Sequence, residues 1–517
     1  MNKDKSMLAS CISEETKKLF LDFTCEHPLD APSIELIKKL YNVIRDSDDD
    51  FEIFRHPNET DELWETLISK AIKCLRYYDN REPFKSNTSK NPKAYGIDDL
   101  KTYYKNYKDF EKILYGSGKY YRDHVVHVFR TWLTGIECMV KNDGKYLNFL
   151  SIYDDETIEL NSAEKISIWT LISLTHDLGY PLEKAKSIVD TTRTMVSTFV
   201  TNPDISMDLS FHGVQNYMND FIVRLMSSKM IKIDVLTQEG ETQYVARLQP
   251  KYYFKFQKSL EKSNHGIIST LIIYKLLTYF LESDYNINED YKFKSEDRRQ
   301  FYIRREILRA IASHTCTDVY HMHMGSFAFL LIIADNTQEW GRKYISELYV
   351  QSENKYELGE IDLQLSTTQN EHRCILSETL SVPEKKGIQT IVSFIKRLKY
   401  QSLEYVTIFR DGQDTIHRDF SFVRKFNLIY ESSPNIEFEF EFDIPRDDAS
   451  SLTCVIKYSA NKLKNQVFGV NFIKTLQEEI DKDISIQAFD VNDEKIENYT
   501  ECQSDWRKIV FNIEVAK

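Results

Sequence analysis

Over roughly the first 350 positions apolar residues recur every three to four places, and beyond them they mostly alternate with polar ones. The first pattern belongs to helices with one buried stripe, the second to half-buried strands. Ile34, Ile37, Leu40 and Tyr41, then Leu63, Leu67, Ala71 and Leu75, predict helices within residues 1–115. The Pro-, Asn- and Lys-bearing stretch Tyr78–Asp98 reads as a surface loop. Residues 116–348 read as a helix-dominated core domain on which that N-terminal region packs. Breaks fall at Asn148–Asn161 and in an insertion at about 201–258. Within the insertion, Ile231–Val235 and Gln243–Arg247 alternate around a polar Gly-containing turn and predict a small β-hairpin. In residues 349–517 the runs Glu360–Leu365, Tyr405–Phe409 and Ile436–Phe442 predict strands, and Ile388–Leu398 and Phe472–Ile480 predict helices. The fold class is therefore mainly α, a helical bundle core with a small β insertion, followed by a C-terminal α+β domain.

Composition narrows the functional classes. A chain of 517 residues with 42% hydrophobic and 13% aromatic content is not disordered. A net charge of −13 disfavours a surface built for unspecific nucleic-acid binding, though it leaves room for a local basic groove. The eight cysteines are scattered, with no Cys-x-x-Cys pair, as expected of reduced thiols in a cytoplasmic protein. No apolar signal region follows Met1, and the longest apolar run, Phe327–Ala334, is too short to span a bilayer. The expectation is a cytoplasmic protein off the membrane, and homo-oligomerisation is compatible with the sequence. No phosphate-binding Walker loop, Gly-x-Gly-x-x-Gly or Gly-x-Ser-x-Gly occurs, so kinase, dinucleotide and serine-hydrolase readings have no support.

The candidate chemistry lies in His and Asp residues at the ends of apolar helices. The pattern Ile166, Ile168, Trp169, Leu171, Ile172, Leu174 runs directly into His176-Asp177, with Gly179 and Pro181 read as its stop. A carboxylate at a buried helix end is costly unless paired, and a divalent ion would pair it. Similar placements recur: His124 and His127 before Trp132 and Leu133, His265 opening an apolar helix, His314 ending another, and Asp335 inside the most apolar segment of the chain. His212 is a rival to His265. Helix bundles build metal sites from such dispersed side chains.

The ordered set His, His-Asp, His, His, Asp, with Ala310–Thr315 and Ile333–Arg342 as local context, resembles the HD-domain superfamily of metal-dependent phosphohydrolases over roughly residues 116–348. The resemblance implies an HD-type bundle holding one or two divalent transition-metal ions, Mn, Fe, Co or Ni, with Mg also admitted. It implies His124, His176, Asp177 and Asp335 as ligands of a first ion. Asp177 would bridge to a second ion held by His265 and His314. His176, Asp177 and His127 become the candidate catalytic residues. For His127 the comparison is with related cyclic-nucleotide phosphodiesterases, which carry two His here, one an acid, at a spacing of four where this chain has three. Arg122, Lys184 and Arg342 are candidates for phosphate contacts. The implied activity is hydrolysis of a phosphoester or phosphoanhydride of a nucleotide or other phosphorylated small molecule by a metal-activated water. A nuclease or cyclic-oligonucleotide phosphodiesterase, and a catalytically inactive metal-binding regulator, are the alternatives. The chain departs from the family at Tyr180-Pro181, where many members have Lys shortly after the His-Asp pair.

Overall fold

A computed structural model describes residues 2–20, 22–46, 52–79, 96–117, 123–142, 149–151, 156–201, 205, 214–233, 243–281, 292–293, 295–316, 319, 326–338, 357–367, 372–382, 420–430, 433–443, 451–458, 484–489, 495 and 508–514. Two compact units divide the chain: Met1–Val319 with Gly325–Tyr349, and Tyr320–Met324 with Val350–Lys517.

The first unit is mostly helical. Its elements are α1 (Lys3–Cys11), α2 (Glu14–Phe20), α3 (Ala31–Val43), α4 (Pro57–Tyr77), α5 (Ile97–Ser117), α6 (Val125–Lys141), α7 (Ser162–Thr175) and α8 (Tyr180–Val196). There follow α9 (Val214–Ser227), α10 (Pro250–Glu261), α11 (His265–Leu276), α12 (Thr278–Leu281), α13 (Ser295–Ser313) and α14 (Phe327–Thr337). Two antiparallel hairpins are inserted. β1 (Phe149–Ser151) pairs with β2 (Glu156–Ile158), and β3 (Ser228–Ile233) pairs with β4 (Gln243–Leu248). The second is the hairpin expected in the insertion; the first falls in a break that carried no strand signal.

Helix α7 is the axis of this unit. Every residue from Ala163 to Thr175 is buried, as its apolar character on all sides requires. It packs against α4, α6, α13 and α14. Asn161 and Glu164 start it with a reciprocal capping box, at 2.9 and 3.1 Å. Its polar side chains are satisfied locally, since Ser167, Thr170 and Ser173 each donate to the carbonyl four residues back at 2.7 Å. Trp169 donates its indole N–H to Trp132 O at 3.0 Å, and Trp132 donates to Thr170 Oγ1 at 2.9 Å. Gly135 on α6 gives the Trp169 ring its room: a Cβ there would lie 2.1 Å from the indole. The N-terminal helices belong to the same unit. Trp64 of α4 donates to Leu174 O at 3.2 Å. On α1, Asp4 receives Arg130 Nε and Nη2 at 2.8 and 2.7 Å, a bidentate pair with both residues buried.

The second unit, in its described residues, is a seven-stranded sheet: β5 (Glu357–Thr367), β6 (His372–Val382), β7 (Phe420–Tyr430), β8 (Ser433–Asp443), β9 (Ser451–Tyr458), β10 (Ile484–Phe489) and β11 (Lys508–Glu514). The strand order is β10-β11-β9-β8-β7-β6-β5, antiparallel except for the parallel β6/β7 pair. The expected strands Glu360–Leu365 and Ile436–Phe442 lie in β5 and β8. Glu439 stands in register between Lys425 and Lys457. The strand expected at 405–409 and the helices expected at 388–398 and 472–480 lie outside the described residues. Among the described residues no helix is long and apolar enough to cross a membrane.

Candidate metal centre

Five helices deliver the site, and local sequence fixes each delivery. At the start of α6, Asp123 accepts the backbone N–H groups of Val125, Val126 and His127 at 3.2, 3.2 and 3.0 Å. That is a carboxylate cap on the positive end of the helix. Glu111 takes His124 N–H at 2.7 Å. His176 and Asp177 follow the last residue of α7. The helix thus ends earlier than Gly179 and Pro181 suggested, because Pro181 sits in the first turn of α8, where its missing N–H costs nothing. Gly179 lets this corner meet the N-terminus of α11. Its N–H donates to Ser269 Oγ at 2.7 Å, and a Cβ would lie 2.3 Å from His265 O. His265 opens α11, His314 directly follows α13, and Asp335 projects from α14.

Hydrogen bonding at Nδ1 fixes the orientation of four imidazoles. His176 Nδ1 faces Ser173 O at 2.8 Å and His314 Nδ1 faces Ile311 O at 2.5 Å. A carbonyl only accepts, so each Nδ1 carries the proton. His127 Nδ1 donates likewise to Gln338 Oε1, and His265 Nδ1 to Glu183 Oε2 at 2.7 Å. All four Nε2 atoms therefore turn inward on Asp177 and Asp335. The two oxygens of Asp177 divide them. Oδ2 lies 3.5 Å from His176 Nε2 and 4.0 Å from His127 Nε2, while Oδ1 lies 3.3 Å from His265 Nε2 and 3.5 Å from His314 Nε2. Asp335 Oδ1 sits 2.7 Å from His127 Nε2 and 3.9 Å from His176 Nε2.

The electrostatics leave a cation-shaped deficit. His176 is fully buried and its Nε2 has no hydrogen-bond partner. Burial pushes its pKa down to about 4, so it is neutral at pH 7 and keeps a bare lone pair in the core. For Asp177, burial favours the acid form. The His176 imidazole beside it and hydrogen bonds from His124, His265 and His314 outweigh it and hold the carboxyl well below the usual range. Asp335 is also held low, burial being outweighed first by the His127 hydrogen bond. His265 Nε2 and His314 Nε2 face each other at 3.2 Å, which requires a proton or a metal between two nitrogens. Three overlapping groups bring one donor atom each within 4.8 Å of one another: His127, His176 and Asp177; His176, His314 and Asp335; Asp177, His265 and His314. These buried His and Asp residues can hold a metal ion, an arrangement compatible with an HD-type site without being diagnostic of one.

The expected residues fall into place unequally. His127 contributes a donor to the clustered sets. His124 instead places Nδ1 2.9 Å from Asp177 Oδ2, with its ring 3.7 Å from that of Tyr180. Lys184 is occupied by Glu183 at 3.3 Å and lies 4.8 Å over the Tyr180 ring. Arg122, Arg342 and His212 lie outside the described residues. Sequence reading missed Glu183 and Gln338, the side chains that orient the His265 and His127 rings. Their only sequence signal is proximity to named ligands, Glu183 six residues after Asp177 and Gln338 three after Asp335. Comparison of the chain with known protein families, with curated proteins and with solved structures finds no match.

Proposed function

We propose that this protein is a metal-dependent phosphohydrolase with an HD-type helical bundle at its core. The observation that carries the reading is the convergence of four Nε2 atoms, that of His176 without a hydrogen-bond partner, on the buried Asp177 and the half-buried Asp335. His127, His176, Asp177 and Asp335 would hold a first ion, and Asp177, His265 and His314 a second. This departs from the expectation that His124 is a first-ion ligand and His127 a catalytic residue outside the ligand set: His127, not His124, has a donor in the clustered sets. An all-N/O donor set of this kind suits Mn, Fe, Co or Ni. Ions bound there would generate hydroxide from water near neutral pH and neutralise charge on phosphoryl oxygens.

The chain's own residues supply the rest. Asp177 presents one oxygen to each donor group, the arrangement of a bridging carboxylate. His124 donates Nδ1–H to Asp177 Oδ2 and so orients that carboxylate. With neutral imidazoles, two divalent ions against Asp177 and Asp335 would leave the site positive, which favours an anionic substrate. The substrate class is a nucleotide or other phosphorylated small molecule. Residues 349–517 would form a separate α+β domain, supported by a sheet of its own in that unit. A second reading, a metal-binding regulator without catalysis, is favoured by one observation: the Tyr180 ring lies over His124 and 5.2 Å from His265.

Metal analysis of the purified full-length protein, followed by hydrolysis of bis-p-nitrophenyl phosphate, nucleotides, cyclic dinucleotides and single-stranded DNA, tests both readings. Wild type should contain a transition metal. His176→Ala and Asp177→Asn should lose it, with hydrolysis falling by about 10²–10³-fold or more while helical circular dichroism persists. Metal without hydrolysis of any substrate rejects the enzyme reading and keeps the second. A wild-type protein that takes up no metal rejects both.

A further inference from the structure

Away from the His/Asp cluster, Cys25 and Cys74 pack together with Ala163 in one small buried cluster, edged by Phe23 and Tyr78. Both thiols are free. Cys25 lies in the connection between α2 and α3 and is 8% exposed, between the exposed residues Thr24 and Glu26. Cys74 is fully buried in the last turn of α4. Its S–H donates to Ala163 O at 3.4 Å, and Cys25 is its neighbour in the cluster. Cys25 Sγ lies 3.6 Å from the Tyr78 hydroxyl.

These contacts make the two thiols unequal. The Cys74 hydrogen bond lowers the Cys25 pKa, burial opposes it, Tyr78 adds to the lowering, and the net value is about 6. Cys74 is driven the other way, first by Cys25 and then by burial. Tyr78 stays protonated, because burial and its Cys25 neighbour both raise it. The Glu164 carboxylate acts on all three and raises each of them. Arg299 occupies its carboxylate, at 3.1 Å through Nε. The result is a thiolate-prone Cys25 at the edge of the core, 8% exposed, backed by a protonated thiol deeper in it, the arrangement of an attacking and a resolving cysteine. The metal centre uses neither residue.

We propose that Cys25 and Cys74 form an oxidant-responsive pair that closes to an intramolecular disulfide when a hydroperoxide is present. The Cys25 thiolate attacks one peroxide oxygen, the O–O bond breaks, and hydroxide leaves and is protonated to water. Cys25 is then a sulfenic acid. The Cys74 sulfur attacks it, forming the S–S bond and breaking S–O, and its proton leaves with the departing hydroxide as a second water. Each sulfur gives up one electron, and the peroxide takes both. The bond fastens the α2–α3 connection to the end of α4, across 49 positions of chain, and removes the Cys74 hydrogen bond to Ala163 at the head of α7.

The test is peroxide titration of the full-length protein in EDTA, which removes metal-driven oxidation, followed by alkylation and non-reducing peptide mapping. One equivalent of hydrogen peroxide should yield a Cys25–Cys74 linked peptide, protect two of the eight cysteines from alkylation, and be reversed by dithiothreitol. In Cys74→Ser the sulfenic acid should persist and be trapped at Cys25 by dimedone. The proposal is overturned if Cys25 and Cys74 of wild type remain alkylatable after peroxide. It is also overturned if peroxide carries Cys25 to the sulfinic acid while Cys74 stays free. Neither outcome bears on metal content, so this proposal fails or stands separately from the phosphohydrolase reading.

Discussion

A histidine becomes a metal ligand when its other nitrogen has a fixed duty, and here four rings have one. Glu183 does the most for its ring: it accepts both the Nδ1–H and the backbone N–H of His265, at 2.7 and 2.9 Å. Burial pushes Glu183 up, but its bonds to His265 outweigh that and bring its pKa to about 2, so it is ionised at every physiological pH. For His265, burial lowers the pKa, while hydrogen bonds to Asp177 and Glu183 outweigh it and raise it to about 9. At pH 7 the metal-free ring thus carries two protons, and metal must displace the one on Nε2. Metal uptake at pH 7 should therefore release about one proton from this ring, and the release should fade as pH rises through 9. Calorimetry in buffers of different ionisation enthalpy measures it; no proton release at pH 7 would contradict the placement of His265. Glu183→Gln should weaken metal affinity by about 10–100-fold without unfolding the protein, as read by competition with a chelator.

At the scale of elements, legibility followed side-chain direction. Helix α7 could be read from sequence because it is apolar on all sides, and His265, His314 and Asp335 because each stands at the start, just past the end, or within a helix that carries buried apolar residues. His124 and His127 could not be ordered in this way. His124 is the residue before α6 begins, so its side chain does not follow helical periodicity, and the turn set by Asp123 decides which imidazole faces Asp335. Glu183 and Gln338 stayed hidden because a residue that orients a ligand has the composition of an ordinary surface residue. The end of α7 was misplaced because Pro181 is as much at home at the start of one helix as after the end of another. Asp4 shows how far the bundle depends on α1: with both partners buried, Asp4→Ala leaves the Arg130 guanidinium without its bidentate partner. Unfolding free energy should fall by about 3–5 kcal/mol in a denaturant titration. A loss under about 1 kcal/mol would mean that α1 is peripheral.

For the whole molecule, the pairing of His127 with Asp335 matters most, because 208 positions of chain separate them. Contact across such a span is expected to form after the intervening helices have docked. On that order the unfolded chain would offer no preformed chelate, and an ion would bind last, as a bolt through a finished frame. The expected signature is kinetic: saturating metal should slow unfolding, leave the refolding rate nearly unchanged, and raise stability by about 2.7 kcal/mol at a free concentration 100 times the dissociation constant. Stopped-flow refolding with and without metal reads it directly, and a refolding rate that climbs with metal would mean that the site forms early. If the site does take a metal, a protein assembled in this order would stand folded and metal-free until ions reach it.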